Sequence, residues 1–450
     1  ELPRPKLQAL GAPLGSLPLI QNSGSLAKKG FPEHFDAVVM NPPYLSTRTM
    51  DDTTADFLKK HFARSSGDLY TAFIELALSL LEDGGKLSTI VQQSFLSISR
   101  YRDFRLTLLE EGSLISCIQL GTGAFPSRPG EKVNNAILTI EKASKRKHFN
   151  YLRLEGKKAH RQVRQLGLSQ HPGATIDHRT ASALIANLSG QPFAFHCPPD
   201  VAALFTKHQA LADCHDDFVL TNGLFTCDNK RFVKLTAELT EEERPIYVPY
   251  DKGGGAKWYH RTPHSLFWQD KGQAIRDYRV SRGQSRSLPG EAHYFQAGLT
   301  YSYIGTKGFK ARLLSPGAIF DIASSAVFSR RYDLNFLLAF FNSALVVYLL
   351  SILNPTVNFQ IGDLRKLPFK APTPDLEKAL AALASRAVEL VTQLDMDNLS
   401  REQVAAIVAA EGLLQQQINN LIFDHYQVGS EARRIILSET WVKHSQKLNR

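Results

Sequence analysis

Short apolar runs and amphipathic stretches alternate in the first third of the chain. The run Phe35–Met40 (FDAVVM) is apolar and β-branched and ends at Asn-Pro-Pro, which predicts a buried strand that leads into a loop. Apolar residues then recur at helical spacing over residues 68–81, and Gly84-Gly85 is expected to end that helix. Residues 86–91 (KLSTIV) have the composition of the next strand.

The same alternation continues to about residue 145. We predict a helix over residues 101–111, a strand over 114–120 and a further strand over 135–141. Strands that alternate with helices are typical of α/β proteins. We therefore expect a parallel or mostly parallel sheet that is covered on both faces.

The pattern changes twice further along the chain. A polar, basic break at 143–148 precedes a mixed stretch, and from 221 to 369 short aromatic-rich strands alternate with Gly and Pro turns, which predicts a largely β or α+β domain. Amphipathic patterns over 376–394 and 401–425 predict two helices that pair as a hairpin. The predicted parts are an α/β domain (1–145), a connecting segment (146–220), an α+β domain (221–370) and a C-terminal helical segment (371–450).

One apolar run, residues 334–353, is long enough to span a membrane. Three polar residues interrupt it, Asn335, Asn342 and Ser343, and no cluster of Lys and Arg follows closely. We therefore predict a buried helix and no membrane partner.

Composition narrows the choice of partner and compartment. The 450 residues carry a formal net charge of +10, with a pI near 9.3, which favours an anionic partner such as nucleic acid. The 4 cysteines form no C-x-x-C pair. The sequence therefore predicts neither a disulfide framework nor a metal site, and it fits a reducing cytoplasm.

The motif Asn41-Pro42-Pro43-Tyr44 directly follows the strand Phe35–Met40, and ligands of open α/β sheets bind beyond the carboxyl ends of the strands. The exocyclic amine of adenine is a poor nucleophile, because its lone pair is delocalised into the ring. The side-chain oxygen of Asn41 and the backbone carbonyl of Pro42 could draw that nitrogen toward sp³ geometry and stabilise its developing positive charge. The prolines stiffen the loop, and Tyr44 offers a flat face to a flipped base. A rigid Pro-Pro turn with a capping Asn is the purely structural alternative.

These residues resemble a known family. FDAVVMNPPY is similar to the catalytic segment of the gamma-type DNA adenine-N6 methyltransferases, and SGDLYTAFIE (66–75) and GGKLSTIVQQSFL (84–96) are similar to the helix and strand that follow it. The resemblance covers most of residues 35–430 and extends to the adenine-specific methyltransferases of BREX, the bacteriophage-exclusion defence system. The supporting segments are LGTGAFPSRPGEKVNNAILTI, VPYDKGGGAKWY, FDIASSAVF and LNPTVNFQIGDLRKLPF.

The resemblance implies a partial Rossmann-like, S-adenosylmethionine-dependent methyltransferase domain, followed by a mixed α+β target-recognition domain and C-terminal helices. It implies methyl transfer to adenine N6 in double-stranded DNA after base flipping. The biological role would be phage defence or restriction-modification, with other defence-system proteins as partners. Asn41 to Tyr44 would be the catalytic residues, and Asp68 and Phe73 would brace their loop.

Family members bind S-adenosylmethionine mainly through a Gly-rich loop after the first strand, ahead of the catalytic motif. Gly11 and Gly15 do not follow a hydrophobic strand in that manner. We expect instead that residues 18–21 form the third strand and that Gly24 and Ser25 lie near the adenine ring of the cofactor, with Asn41 as a further contact. The resemblance thus implies that the N-terminal part of the parent enzyme, with its main cofactor loop, is missing.

The best nucleic-acid candidates lie between residues 221 and 369. The segment KGGGAKWY (252–259) places glycines, which let backbone amides approach phosphate, between lysines that neutralise it and rings that stack on bases. Residues 226–231 (TCDNKR) and the arginine-rich 276–286 add positive charge. The candidate DNA-binding residues are Lys252, Gly254, Lys257, Trp258 and Tyr259, together with Lys230 and Arg231. The alternatives are a flexible hairpin with a buried Trp and solvated basic loops.

Two other functions fit parts of the sequence. Asn-Pro-Pro-Tyr also suits an amide nitrogen, as in a protein-glutamine methyltransferase, although the long basic and aromatic region after residue 221 argues against it. The chain could also be a DNA-binding or specificity module without catalytic activity.

Overall fold

The computed structural model describes residues 34–122, 133–154, 174–188, 190–305, 308–315, 317–354, 358–395 and 399–445. The chain divides into two compact units, Glu1–His196 and Cys197–Arg450. The expected cofactor contacts Gly24 and Ser25, and the strand expected at 18–21, lie outside the described residues. The finer division into four parts stays a prediction.

A six-stranded sheet with the order β1-β2-β4-β3-β5-β6 organises the first unit. Its strands are β1 (Phe35–Met40), β2 (Leu81–Gln92), β3 (Gly112–Gly121), β4 (Asn135–Lys142), β5 (His148–Arg153) and β6 (Ala174–Asp177). Neighbours β1/β2 and β3/β5 are parallel, whereas β4 runs antiparallel to both β2 and β3, and β6 runs antiparallel to β5. The predicted α/β class is confirmed, but for the described strands the expectation of a mostly parallel sheet is wrong, because β4 inserts between β2 and β3 as a returning strand.

Four helices in the described part of this unit accompany the sheet: α1 (Asp52–His61), α2 (Leu69–Ser79), α3 (Arg102–Glu111) and α4 (His178–Asn187). Helix α2 buries Tyr70, Ile74 and Leu78 in a core shared with α3 and the sheet, at the spacing that places side chains on one helix face. On β1, Val38 and Met40 pack against that core, whereas Val39 on the opposite face is 82% exposed. The expectation of cover on both faces is therefore not met at Val39 by the residues that the structure describes.

Gly84 and Gly85 were expected to end helix α2. They do not, because the helix already ends at Ser79. They lie within β2, where its pairing with β1 shifts in register between Phe35 and Ala37. Gly84 has φ +84°, and a Cβ on Gly85 would lie 2.8 Å from the carbonyl oxygen of Glu82. Both glycines thus allow an irregular start of the strand next to β1.

The second unit contains two four-stranded sheets, in the orders β14-β10-β11-β9 and β13-β12-β15-β8, and a small pair, β16-β7. The strands are β7 (Gln209–Ala210), β8 (Phe218–Thr221), β9 (Val233–Leu235), β10 (Tyr247–Asp251), β11 (His264–Phe267), β12 (Leu299–Tyr301), β13 (Ala311–Leu313), β14 (Ile319–Phe320), β15 (Ala326–Ser329) and β16 (Pro368–Phe369). Short aromatic-rich strands between Gly and Pro turns were predicted for this region and are present.

The described residues of the second unit also form ten helices. They are α5 (Pro199–Ala202), α6 (Leu204–Lys207), α7 (Asn229–Phe232), α8 (Gln273–Ser281), α9 (Leu334–Asn342), α10 (Ala344–Leu353), α11 (Ile361–Leu364), α12 (Pro374–Thr392), α13 (Arg401–His425) and α14 (Ser430–Ser445). Helices α12 and α13 contact each other, as their amphipathic patterns predicted. Thr373 and Ser400 cap their N-termini through hydroxyl oxygens that accept backbone N–H bonds.

The apolar run 334–353 forms two buried helices and not the single helix predicted. Ser343 breaks the run, because its hydroxyl accepts from Val346 N at 3.3 Å and begins α10 at an angle of 60° to α9. Asn342 exchanges two hydrogen bonds with the backbone of Ala311, at 2.9 and 3.0 Å. In the described part of the chain no single helix is long and apolar enough to cross a membrane, and α9 and α10 satisfy length and composition only as this bent pair.

Candidate active site

Three chain segments of the first unit meet at one end of its sheet, where β1 and β2 have their carboxyl ends. Strands β1 and β2 are parallel, with Met40 opposite Thr89, so the loop after Met40 and the end of β2 leave the sheet on the same side. Strand β4 is antiparallel to β2 and starts there, with Asn135 opposite Gln92. The motif Asn41–Tyr44 therefore lies beside the end of β2 and the start of β4.

The exposure of the motif residues alternates. Asn41 and Pro43 are exposed, Pro42 is buried and Tyr44 is half-buried. A proline has no N–H to satisfy and a fixed φ, so Pro42 can be buried at the tip of a strand without an unpaired donor. The amide of Asn41 thus faces solvent at the carboxyl end of β1.

Tyr44 is held by groups on both neighbouring strands. Its hydroxyl lies 3.3 Å from the carbonyl oxygen of Ile90 and 3.3 Å from Oδ1 of the fully buried Asn135. Its ring meets the ring of Tyr70 edge-on, with centroids 5.8 Å apart. Burial raises the pKa of the Tyr70 phenol well above its usual value, so this support is uncharged.

Asp68 fixes the other end of the motif loop. Its Oδ1 accepts a hydrogen bond from Leu45 N at 2.9 Å, and Leu69 N donates to the carbonyl of Leu45 at 3.0 Å. The carboxyl group is buried, and burial raises its pKa, although the bond from Leu45 opposes that shift. Phe73 and Leu45 both pack against a small apolar cluster of Leu58, Leu69 and Ala72. Asp68 thus braces the loop, and the same role for Phe73 stays a prediction.

Two buried side-chain oxygens beside this loop lack a hydrogen-bond partner among the described residues: Thr89 Oγ1 and Gln93 Oε1. Thr89 is the β2 partner of Met40, and Gln93 directly follows β2. Both residues therefore lie at the end of the sheet that carries Asn41. An unpaired buried acceptor is costly, about 1–3 kcal/mol.

Known proteins share this segment and the fold around it. The sequence model of the Eco57I restriction-modification methylase family matches residues 19–125. The adenine-specific methyltransferase BrxX of Escherichia coli O9:H4 (strain HS) is 27% identical over 387 residues, which are 83% of this chain and 30% of the relative. The adenine-specific methyltransferase PglX of Lacticaseibacillus casei (strain Zhang) is 27% identical over 80% of this chain and 31% of its own length. The predicted resemblance to the adenine-specific methyltransferases is confirmed.

The chain thus spans about a third of the length of these methyltransferase relatives. The fold of the Type IIL restriction-modification enzyme MmeI, solved in complex with DNA, is similar over 91% of this chain and 57% of that enzyme, with a TM-score of 0.62. At 10% sequence identity, that similarity concerns the fold alone.

The segment expected to bind DNA, residues 252–259, is divided between exposed and buried parts. Gly254 is exposed with φ +79°, and its N–H donates to Ser302 Oγ at 2.7 Å, whereas Lys252 and Tyr259 are half-buried. Trp258 is fully buried, and its indole N–H donates to Glu411 at 2.7 Å. The ring cannot stack on a base in this arrangement, so the buried-tryptophan alternative holds at this residue.

Lys257 shares the anchoring role of Trp258. Its ammonium group pairs with Glu411 at 2.7 Å, donates to Gln415 at 2.7 Å and lies 4.9 Å from the centre of the Trp258 ring. These contacts tie the segment to helix α13. Lys257 therefore stabilises the second unit and is not a free cation for phosphate.

The other basic candidates differ in whether an acidic side chain neutralises them. Lys230 and Arg231 are exposed on α7, with the Arg231 guanidinium over the Tyr278 ring at 4.9 Å. In the arginine-rich stretch 276–286, Arg276 pairs with Glu291 and Arg286 with Asp277. Those acids cancel part of the positive charge expected there.

Several site residues were missed from the sequence. Gln93 and Asn135 lie in segments interpreted only as strand or loop, and strand order alone brings them to Asn41. In the second unit, Asp251 and Arg312 form a fully buried ion pair at 2.6 Å next to the segment 252–259, called the glycine segment from here on. Acidic and basic residues 61 positions apart give no local signal of such a pair.

Proposed function

We propose that this chain forms part of an enzyme that transfers a methyl group from S-adenosylmethionine to adenine N6 in duplex DNA, after the base has been flipped out. The observation that carries the proposal is the exposed amide of Asn41 on a buried proline corner at the carboxyl end of β1. Relatives with adenine-specific methyltransferase activity in their names match most of the chain.

The chemistry follows from the acceptors at that corner. Asn41 Oδ1 and the Pro42 carbonyl would accept the two N–H bonds of the amine, and this holds the nitrogen lone pair out of conjugation with the ring. The same oxygens stabilise the positive charge that develops on nitrogen as the new N–C bond forms. The methylated ammonium is acidic, so it can pass its proton to water without a dedicated base.

Tyr44 would present its ring to the flipped base while its hydroxyl stays anchored near Ile90 and Asn135. A ring whose edge and hydroxyl are both held loses little further freedom on binding, which favours stacking. Gln93 Oε1, an amide oxygen without a hydrogen-bond partner among the described residues, could accept from a ligand that carries an amino group, and adenine is such a ligand.

S-adenosylmethionine, when bound, would supply a methyl group activated by a positively charged sulfur. Asn41 is the described residue that we assign to the cofactor side of the site. Gly24 and Ser25 remain proposed contacts.

We assign DNA binding to the second unit. Lys252, Gly254, Tyr259, Lys230 and Arg231 are the proposed contacts, and the exposed backbone around Gly254 would approach phosphate. The proposed setting is phage defence or restriction-modification in the cytoplasm, with other defence proteins as partners.

The test follows a labelled methyl group. The full-length enzyme of which this chain is proposed to form part is incubated with methyl-labelled S-adenosylmethionine and a mixed-sequence plasmid, and label is measured in DNA and in protein. We expect label on adenine N6 in DNA, its loss with Asn41→Ala, and its retention with Asn420→Ala, which truncates an exposed asparagine of the second unit. Label in protein would favour the glutamine methyltransferase, and DNA binding without transfer would favour a non-catalytic specificity module.

A further inference from the structure

A cavity of about 590 Å³ lies among three helices of the second unit. Helices α13 and α14 both contact α10, and residues of all three helices line the cavity. Cavities that bind small organic molecules measure about 300–1,000 Å³, so this one has the size of a ligand site. None of the described residues that line it is assigned to the candidate active site or to the proposed DNA contacts.

The walls of the cavity are mostly apolar, and the charge beside it is neutralised. Val347 of α10 and Leu437 of α14 line it. Among the described lining residues Lys257 is the only cation, and its ammonium group pairs with Glu411 at 2.7 Å. A charged ligand would lose hydration here without gaining an unpaired counter-ion, which is unfavourable. The cavity therefore favours an uncharged molecule.

One buried amide at the cavity has an unused donor. Asn419 lines the cavity and is only 7% exposed. Its Oδ1 accepts from Ala344 N at 2.8 Å and from Gln415 Nε2 at 2.9 Å, and these two bonds fix which end of the amide is the nitrogen. Asn419 Nδ2 donates to none of the described residues and is not enclosed by them, so its N–H groups are open to the cavity.

This donor stands at the end of a chain of hydrogen bonds that begins at a cation. Lys257 Nζ donates to Gln415 Oε1 at 2.7 Å, and Gln415 Nε2 in turn donates to Asn419 Oδ1. Amides linked in this way polarise one another, so the N–H groups of Asn419 become stronger donors. The molecule that fits the cavity should therefore present an acceptor to Asn419, and a carbonyl oxygen is a suitable one.

Gly412 leaves space at the cavity on the side of α13. Residues 412, 415, 416 and 419 have the spacing of one helix face, and all four line the cavity. A Cβ at Gly412 would meet no neighbouring atom within 4 Å, so packing inside the described chain does not require glycine here. Glycine inside a helix is less favourable than alanine. A ligand that occupies the space beside Gly412 would account for its presence.

The remaining lining narrows the class of ligand. Gln416 lines the cavity and is exposed, and its amide offers both a donor and an acceptor at the solvent side. Amide side chains are complementary to the edges of nucleobases, which carry donors and acceptors side by side. Guanine and thymine also carry the ring carbonyl that suits Asn419, and their flat faces suit apolar walls.

We propose that this cavity binds an uncharged nucleoside whose base carries a ring carbonyl, and that this carbonyl accepts a hydrogen bond from Asn419 Nδ2. The site lies in the second unit and goes beyond the proposed function, on which it does not rest. A base within a nucleic acid strand carries the same carbonyl. We assign the free nucleoside, because Lys257 is already paired and the described lining has no other cation for a phosphate.

The test titrates guanosine and thymidine into the full-length protein by isothermal titration calorimetry, and we expect at least one of them to bind. Asn419→Asp keeps an acceptor for Ala344 N but removes the free N–H groups, and Gly412→Leu adds a side chain on the cavity face of α13. Each variant should weaken binding by roughly tenfold or more. Ala405→Leu, which adds the same side chain at an exposed position of α13, should bind as the wild type does.

The two variants guard against different failures. Gly412→Leu should melt at or above the wild-type temperature, because leucine favours a helix more than glycine does, so its loss of binding is not unfolding. Failure of the wild type to bind either nucleoside would overturn the proposal, as would binding that Gly412→Leu leaves unchanged. Tighter binding of a short oligothymidylate than of thymidine, weakened by Gly412→Leu, would overturn the free nucleoside and assign the cavity to a base within a strand.

Discussion

Single buried polar residues determine how firmly the candidate active site is supported. Arg105 is fully buried on α3 and, among the residues that the structure describes, donates to four backbone carbonyls and to no carboxylate. Two of these carbonyls, Phe95 and Ile98, belong to the segment that follows Gln93, and the others are Gly190 and Gln191. Burial lowers the pKa of its guanidinium to about 10, so the group stays charged at neutral pH.

Replacing Arg105 by Met should therefore destabilise the first unit strongly. Four carbonyls would lose their donor inside the protein, and each unsatisfied buried group costs about 1–3 kcal/mol. We expect a loss of about 3 kcal/mol or more in the free energy of unfolding, measured by urea denaturation. Arg102→Met, on the exposed side of the same helix, is the matched control and should leave the midpoint unchanged.

His425 should make the stability of the second unit depend on pH. Burial is the main cause that lowers its pKa, and the nearby Lys370 ammonium adds to the shift, while the contact of Nε2 with the Lys370 carbonyl at 3.1 Å opposes it. The unfolded chain then takes up a proton near pH 6.5 that the folded chain takes up only at lower pH. Stability is thus fully present above about pH 6.5 and is lost as the pH falls below it.

The check is the melting temperature between pH 7.5 and 5.5. His425→Gln should flatten the acid side of the profile, whereas His215→Gln, at an exposed position, should leave it as in wild type. An acid limb of equal slope in His425→Gln would contradict this assignment.

At the scale of elements, a buried polar network holds the loops that carry the proposed DNA contacts. Asp251 Oδ1 accepts from Arg312 Nη2 at 2.6 Å, from Ser324 Oγ at 2.5 Å and from Gly253 N at 3.1 Å. One carboxylate oxygen thus connects the end of β10, strand β13 and the loop before β15. The glycine segment starts from this fixed point.

Removing one partner of this pair should affect both folding and DNA binding. Arg312→Met would leave the Asp251 carboxylate buried without its cation, which costs about 3–5 kcal/mol. We expect a lower unfolding midpoint and weaker plasmid binding under conditions where the variant remains folded. Arg434→Met, which breaks an exposed ion pair on α14, should change neither quantity.

The spacing of apolar residues predicted the single strands and helices well, but it predicted less well how they pair and pack. The strand Phe35–Met40, the helix that starts at residue 69 and the strand before residue 92 follow from apolar spacing that short-range sterics impose. The antiparallel insertion of β4 does not, because pairing between distant segments leaves no periodic trace. The break at Ser343 shows the same limit, since one capping hydroxyl divides an apolar run that hydropathy treats as continuous.

The candidate site divides in the same way. Asn41 to Tyr44 could be predicted because four consecutive residues contain the oxygens that accept from an amine and the ring that stacks on a base. Trp258 could not be resolved, because a tryptophan among lysines and glycines fits both a base-stacking loop and a buried anchor. Its partner Glu411 lies on a helix more than 150 residues away.

For the whole molecule, the net charge of +10 should appear in the salt dependence of DNA binding. Each phosphate contact contributes a slope of about −0.9 in log affinity against log salt concentration. The double variant Lys230→Ala/Arg231→Ala should therefore reduce the slope by roughly two contacts, about 1.8, with weaker binding at low salt. Lys378→Ala, an exposed lysine of α12, should not alter the slope, and an unchanged slope in the double variant would remove α7 from the interface.

The methyl-transfer rate of Asn41 variants tests the central claim most directly, because the claim assigns a hydrogen-bond acceptor and not merely a polar side chain. In the full-length enzyme, acting on duplex DNA with S-adenosylmethionine, Asn41→Ala should lower kcat by about 10²–10³-fold, as removal of one preorganised charge-stabilising group does. Asn41→Asp keeps acceptor oxygens at the same position and should retain a clearly higher kcat than Asn41→Ala. A wild-type rate in Asn41→Ala, or equal loss in both variants, would contradict the account.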